Sequence, residues 1–375
     1  MPKILLSSRC AFDLVNFRGG HMKWLKDAGD EVIGAGAADG FENRLGDIGI
    51  KFVPLPLPFK SISPLGDLGL LLYFYKLYRS ERPDVVHHFT IKPVIYGSIA
   101  ARLARVPRIV NTITGLGFVF SGGAGRLLRK IVEMEYRTAI SCAHFTLFEN
   151  NDDRSMFIQL KLATDGNTGL QPGAGVNTER FAPCSCSASG GGEHHVVFLM
   201  MARLLRDKGV YEYVDAARRV RKKCPSARFQ LLGKRDEHNP TVVPLADLQS
   251  WQESGVIEYL GEMDDVRDAI ACADVMVLPS YREGTPRSLL EGAAMGKPII
   301  TTDAVGCREV VDQGVNGIQV PVKDTSALAA AMICMLEDSE LRAKMGRAGR
   351  EKIVRQFDEK IVIQRCIEVY AQTVT

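Results

Sequence analysis

A chain of 375 residues, 46% hydrophobic and 24% charged, is too long for one hydrophobic core and too apolar to be disordered, so two globular domains are expected. Its net charge of +3 divides into +5 over residues 1–170 and −2 over the remainder, a small basic excess that suits an anionic surface or substrate and equally a scatter of solvated lysines. Residues 3–8 do not read as a signal peptide, and the longest apolar run, 68–75, falls short of the roughly 18 residues of a membrane span, which points to a cytosolic protein.

Short β-rich runs alternate with helical patterns, the grammar of parallel sheets with crossover helices. Strands are expected at residues 3–6, 31–35, 51–54, 85–87, 108–113 and 145–148, with helices at 20–28, 41–47, 94–104 and 124–141. Residues 68–78 are apolar on more than one face and read as a buried crossover helix, with a membrane-surface element as the alternative. A Gly-, Ser- and Pro-rich break follows at 172–195. Beyond it, strands at 196–200, 228–232, 257–260, 275–278, 298–301 and 317–320 are mostly apolar along their length, as strands covered on both faces are. A last helix at about 358–372 lies past the second sheet and is expected to pack back on the first domain. The division is therefore 1–170, a linker at 171–195, 196–357, and a returning helix at 358–375.

Nine cysteines are scattered along the chain, and no histidine pair at finger-like spacing accompanies Cys184-Ser185-Cys186, so reduced buried thiols are expected and no metal site.

Three segments carry chemistry. Residues 278–293 follow a strand and open a helix, with Pro286 near the first turn, where its missing N–H costs nothing. The free N–H groups of Thr285, Arg287 and Ser288 suit an anion, while Glu283 in the loop and Glu291 in the helix can accept hydroxyls from two rings of one ligand. In residues 201–209, Arg203 and Lys208 lie five residues apart past another strand end and can converge on a diphosphate. In Phe17-Arg18-Gly19-Gly20-His21 the glycines would admit a phosphate or sugar close to the backbone, although this is not the dinucleotide pattern. His87 reads as a buried, hydrogen-bonded strand-end histidine.

With these segments in hand, the chain resembles glycosyltransferase family 4, a retaining family, nearly end to end: Glu283-x7-Glu291 occurs together with Arg203…Lys208-Gly209, the link Gly175-Val176-Asn177-Thr178-Glu179-Arg180-Phe181 and the closing Asn316-Gly317-Ile318-Gln319-Val320-Pro321. The resemblance implies an α/β architecture of the GT-B type, two Rossmann-like doubly wound domains facing a deep cleft, with the C-terminal helix crossing to the first. It implies that Arg203 and Lys208 clasp the donor diphosphate, that Glu283 binds the transferred sugar and Glu291 the ribose. Gly284, Thr285, Pro286 and Arg287 would contact sugar and phosphate. Gly19 and Gly20 would approach the phosphates, and Gly233 and Met263 would lie near the base. The donor would be a nucleotide-diphosphate sugar, UDP by resemblance, with no cofactor and no metal.

Residues 87–97, 111–117, 232–237 and 306–309 narrow the likeness to bacterial transferases that extend polyprenyl-diphosphate-linked oligosaccharides. That implies a lipid-linked acceptor, no nucleic acid, and a place at the inner face of the cytoplasmic membrane. The acceptor candidates are Thr114, Gly115, Phe118, Arg126 and Lys92, in or beside a glycine loop with two phenylalanines and three cations. Thr114 stands where many family members carry a histidine or carboxylate and, having no basic group, is given a positioning role. The alternatives are a soluble acceptor, or a non-catalytic partner that binds nucleotide sugars.

Overall fold

The computed structural model describes residues 1–56, 64–116, 120, 125–186, 195–237 and 239–372. The chain forms two compact units, Met1–Gly175 with Glu359–Thr375, and Val176–Asp358. In the first, strands β1 (Lys3–Cys10), β2 (Glu31–Ala37), β3 (Lys51–Pro54), β4 (Val85–Phe89), β5 (Arg108–Ile113), β6 (Phe145–Phe148) and β7 (Thr168–Leu170) form a parallel sheet in the order β3-β2-β1-β4-β5-β6-β7. In the second, β8 (Val197–Met201), β9 (Arg228–Leu232), β10 (Glu258–Tyr259), β11 (Val275–Leu278), β12 (Ile299–Thr302) and β13 (Gly317–Val320) run β10-β9-β8-β11-β12-β13. Every residue of β4, β5, β8, β11 and β12 is buried, which explains why these runs are continuously apolar or hydrogen-bonded rather than alternating. The strand order reverses between β1 and β4 and again between β8 and β11, and loops leaving the carboxyl ends at such switch points are where open sheets bind ligands.

The expected strands are present within a residue or two, except that the one expected at 3–6 runs on to Cys10 and the one expected at 257–260 shortens to β10. The three-residue β7 has no counterpart among the expected strands, being too short and too mixed to show a period. The helix expected at 94–104 is a π turn, Pro93–Gly97, running into an α-helix, Ser98–Ala104, and a second π turn, Leu14–Arg18, follows β1. Both π turns follow switch-point strands, and such turns gather at functional sites.

The C-terminal helix Glu359–Ala371 is part of the first unit. It buries Val362, Ile363, Cys366 and Val369, and its Tyr370 hydroxyl meets His87 Nδ1 at 2.7 Å. The helix Pro64–Glu81 departs from the expectation of a buried crossover. Leu70, Phe74, Leu77 and Tyr78 are in the core, while Leu65, Leu68 and Leu72 face solvent, because the helix packs on one side only. The cysteine expectation is corrected too: Cys186 and Cys272 form a disulfide, Cα atoms 4.6 Å apart, where the segment following Phe181 passes the end of the helix Arg267–Cys272. Cys184 and Cys334 are exposed rather than buried.

Three neutral histidines sit inside the first unit. His87 bridges Tyr370 and, through Nε2, Thr112 Oγ1 at 2.7 Å. His88 Nδ1 donates to Asn111 Oδ1 at 3.0 Å and Nε2 accepts from the Tyr78 hydroxyl at 2.9 Å. His21 stacks on Tyr370, with ring centroids 5.9 Å apart. Burial lowers all three, His21 to about 3 and His88 to about 4; the Arg18 charge adds to this at His21, and the His21 and Arg18 charges add to it at His87. A base whose folded pKa is depressed adds nothing above its unfolded pKa of about 6.5 and costs stability as pH falls below it, by about 2 kcal/mol per histidine at pH 5. Melting temperatures between pH 7 and pH 5 should therefore fall steeply, and by roughly a third less in His21→Gln. A flat profile over that range would contradict the buried neutral assignment.

Candidate active site

The loops after β8 and β11 adjoin at the switch point of the second sheet. After β8 the chain passes Arg203, makes a short turn at Arg206–Lys208 and enters the helix Val210–Lys223 through Gly209. Gly209 has φ +77°, and a Cβ there would lie 2.1 Å from the Pro279 carbonyl oxygen, so only glycine lets the two loops meet. The backbone ties them further: Tyr281 N–H donates to the Asp207 carbonyl at 2.9 Å, and so does Ser280 Oγ at 3.2 Å. The result is a direct ion pair between Lys208 Nζ and Glu283 Oε1, 2.6 Å apart, with both side chains less than 15% exposed.

The loop carrying Glu283 rests on the one after β12. Glu283 N–H donates to the Val305 carbonyl at 2.9 Å, and Thr302 Oγ1 donates to the Ser280 carbonyl. Gly306, φ +82°, lies beneath: a Cβ there would sit 2.1 Å from the Gly284 oxygen and 2.5 Å from that of Glu283. Behind it, burial and then the Glu283 charge push the Cys307 thiol up to about 12, so a neutral thiol backs the carboxylate.

Pro286 is the cap of the helix Arg287–Ala294, next to its first turn as expected, and its carbonyl accepts the Leu289 N–H at 3.1 Å. The leading N–H groups of such a helix, from Arg287 and Ser288, favour an anion. One turn on, buried Glu291 accepts from Arg287 Nε at 2.8 Å. Burial raises the Glu291 carboxyl, opposed by Arg287 and by Arg180, which itself lies 3.8 Å from Asp265. Sequence reasoning misses Arg180 and Asp265 as neighbours of Glu291, since neither sits in a motif with it.

The other candidates fall as follows. Arg203 is half-exposed and faces Asp236 at 3.7 Å, and Leu204 N–H is bonded to the Lys234 carbonyl, so this cation sits at the β9 loop. Gly233, φ +145°, is where β8 and β9 diverge, with the Ala202 oxygen 1.9 Å from any Cβ. Met263 is exposed in the loop after β10. In the first unit a Cβ at Gly19 would make ordinary contact with the Leu14 carbonyl oxygen at 3.8 Å, whereas at Gly20 the Glu359 carboxylate fills the place of a side chain, 2.5 Å from where a Cβ would stand. Thr114 and Gly115, φ +121°, follow β5 and are partly exposed. Arg126 is exposed at the start of the helix Arg126–Cys142, and Lys92 is paired with Asp67 at 2.8 Å. Phe118 lies outside the described residues.

The site thus joins a buried Lys–Glu pair, a helix N-terminus and a second buried Glu, a set suited to holding a diphosphate beside two hydroxyl-bearing rings. The chain is similar to known glycosyltransferases. The model of group 1 glycosyl transferases matches residues 195–338, and that of glycosyl transferase 4-like proteins matches residues 21–144. The putative glycosyltransferase EpsD of Bacillus subtilis is 30% identical over 382 residues, covering 98% of this chain and 96% of the relative. The N,N'-diacetylbacillosaminyl-diphospho-undecaprenol alpha-1,3-N-acetylgalactosaminyltransferase of Campylobacter jejuni is 28% identical over 377 residues, 98% of each chain. Among solved structures, Anabaena Alr3699/HepE in complex with UDP and glucose superposes with a TM-score of 0.80 at 19% identity over 100% of both chains, a likeness of fold.

Proposed function

Since the chain belongs to the group 1, family 4 glycosyltransferases, a retaining and metal-independent family with the GT-B fold, we propose that it moves a hexose or N-acetylhexosamine from a UDP-sugar to a polyprenyl-diphosphate-linked saccharide in cell-surface glycan or glycoprotein biosynthesis, at the inner face of the cytoplasmic membrane. The observation that carries the reading is the Lys208–Glu283 pair at the switch point. A lysine held against a carboxylate is already desolvated and aimed, so an arriving diphosphate exchanges one anionic partner for another. Glu283, released from Lys208, accepts hydroxyls of the transferred sugar, and Glu291 accepts those of the ribose. Lys208, Arg203 and the N–H groups at the start of the helix Arg287–Ala294 stabilise the charge that grows on the departing diphosphate. The bond from the anomeric carbon to the diphosphate oxygen breaks, and the acceptor oxygen bonds to that carbon on the same face. The acceptor's proton passes to the departing β-phosphate oxygen, so no protein base is needed.

The C. jejuni relative, and an Escherichia coli relative named as a UDP-Gal:alpha-D-GlcNAc-diphosphoundecaprenol alpha-1,3-galactosyltransferase, 26% identical over 340 residues, support a lipid-linked acceptor. Thr114, Gly115, Phe118, Arg126 and Lys92 are assigned to it, Thr114 as a positioning residue. The test is UDP release from a panel of UDP-sugars, in EDTA, with polyprenyl-diphosphate saccharides or soluble sugars as acceptors. Release that requires the lipid-linked acceptor is the expected result; release only with soluble sugars would move the acceptor off the membrane. Retained UDP binding without release from any donor would leave a non-catalytic partner.

A further inference from the structure

Two helices of the first unit expose apolar side chains on faces the core does not use. On Pro64–Glu81 these are Leu65, Leu68 and Leu72, 84%, 54% and 50% exposed and spaced i, i+3, i+7. On Arg126–Cys142 they are Leu127, Ile131 and Met134, 74%, 42% and 64% exposed and spaced i, i+4, i+7. Each helix packs against the π turn Pro93–Gly97, and polar contacts fix them there: Lys92 pairs with Asp67 at 2.8 Å, and the Tyr96 hydroxyl donates to Glu135 at 3.1 Å. Asp67 is close enough to Glu135 that, after burial, its charge helps to raise the Glu135 carboxyl. The turn holding Leu65 and Leu68 therefore stands near the turn holding Ile131 and Met134.

Charge on these helices is one-sided. The carboxylates are engaged within the protein: Asp67 with Lys92, Glu81 with Lys51 at 2.6 Å, Glu133 with Arg129 at 2.8 Å, and Glu135 with Tyr96. Lys76 and Arg79 continue the first stripe at helical spacing, and Arg126 and Lys130 border the second. Among the described residues these four cations have no ion pair.

We propose that the two stripes form a docking surface for an anionic phospholipid bilayer, with the six apolar side chains entering the interface and the four cations meeting lipid phosphates. A second copy of the chain is a poorer occupant, because a two-fold contact across this face would bring its cations against one another, and protein interface cores are depleted in charge. The surface explains how a lipid-linked acceptor is met, and in that respect it rests on the transferase reading. Vesicle binding is measured without donor or acceptor, so either can fail alone.

The experiment is co-sedimentation of the full chain with phosphatidylglycerol/phosphatidylethanolamine vesicles and with neutral phosphatidylcholine vesicles, at low and high salt. The expected result is binding to anionic vesicles that weakens with salt. It should fall by about tenfold or more in Leu127→Ser/Ile131→Ser/Met134→Ser and by about fivefold per cation in Arg126→Gln/Lys130→Gln, with thermal unfolding unchanged. The cation pair gives the same reading if the serine triple misfolds. Wild-type protein that ignores anionic vesicles would overturn the proposal. So would variants that bind as wild type does, or serine substitutions that abolish self-association while leaving vesicle binding intact.

Discussion

Lys208→Met is expected to lower kcat by about 10²–10³-fold while leaving the protein folded. Methionine keeps an apolar stem but removes the charge that is 2.6 Å from Glu283 and that, in the proposed reaction, meets the departing diphosphate. Glu283→Gln should cost a similar factor, because the amide cannot hold the lysine and accepts sugar hydroxyls less strongly. The informative number is their combination. Two groups acting as one device, each leaving the other as an unpaired buried charge when removed, give a double variant far less impaired than the product of the singles. A coupling of about 1–3 kcal/mol is expected from kcat values for UDP release in the four-variant cycle. Strict additivity would show the pair to be two unrelated side chains.

Gly306→Ala should be the most damaging small substitution near the site. The new methyl carbon would lie 2.1 Å from the Gly284 oxygen and 2.5 Å from the Glu283 oxygen, and the residue would have to hold φ +82°. The left-handed backbone alone costs alanine about 1–2 kcal/mol. Relieving the clash moves the loop that carries Glu283, and a displacement near 1 Å at a reacting centre costs about 10²-fold in rate. Activity should therefore fall by about two orders of magnitude, with a lowered melting temperature and with Lys208 unaltered. Wild-type turnover in Gly306→Ala would mean that the Glu283 loop does not need its support.

Much of this molecule is legible in its sequence because parallel strands buried on both faces announce themselves as apolar runs. β8, β11 and β12 are the clearest instances, and the switch-point loops then fall at Arg203–Lys208 and Glu283–Arg287. What escapes the sequence is contact between distant segments. Gly306 marks a likeness in the sequence, but its role under Glu283 depends on how β12's loop crosses β11's. Arg180 and Asp265 reach Glu291 from separate stretches, with no spacing rule to connect them. The disulfide between Cys186 and Cys272 spans 86 residues and no pattern pairs those two of nine cysteines. The helix Pro64–Glu81 shows the limit of periodicity: apolar on several faces, it gives no sign of which face the core takes, and Leu65, Leu68 and Leu72 are left in solvent.

Retaining transfer at the Lys208–Glu283 site to a lipid-linked saccharide is tested by incubating the full chain, in EDTA, with the active UDP-sugar and an undecaprenyl-diphosphate-linked saccharide, and reading the new linkage by NMR. An α linkage from the α-configured donor, made by wild type and lost in Glu283→Gln, is the expected result. A β linkage, or transfer that survives loss of Glu283 undiminished, would contradict it.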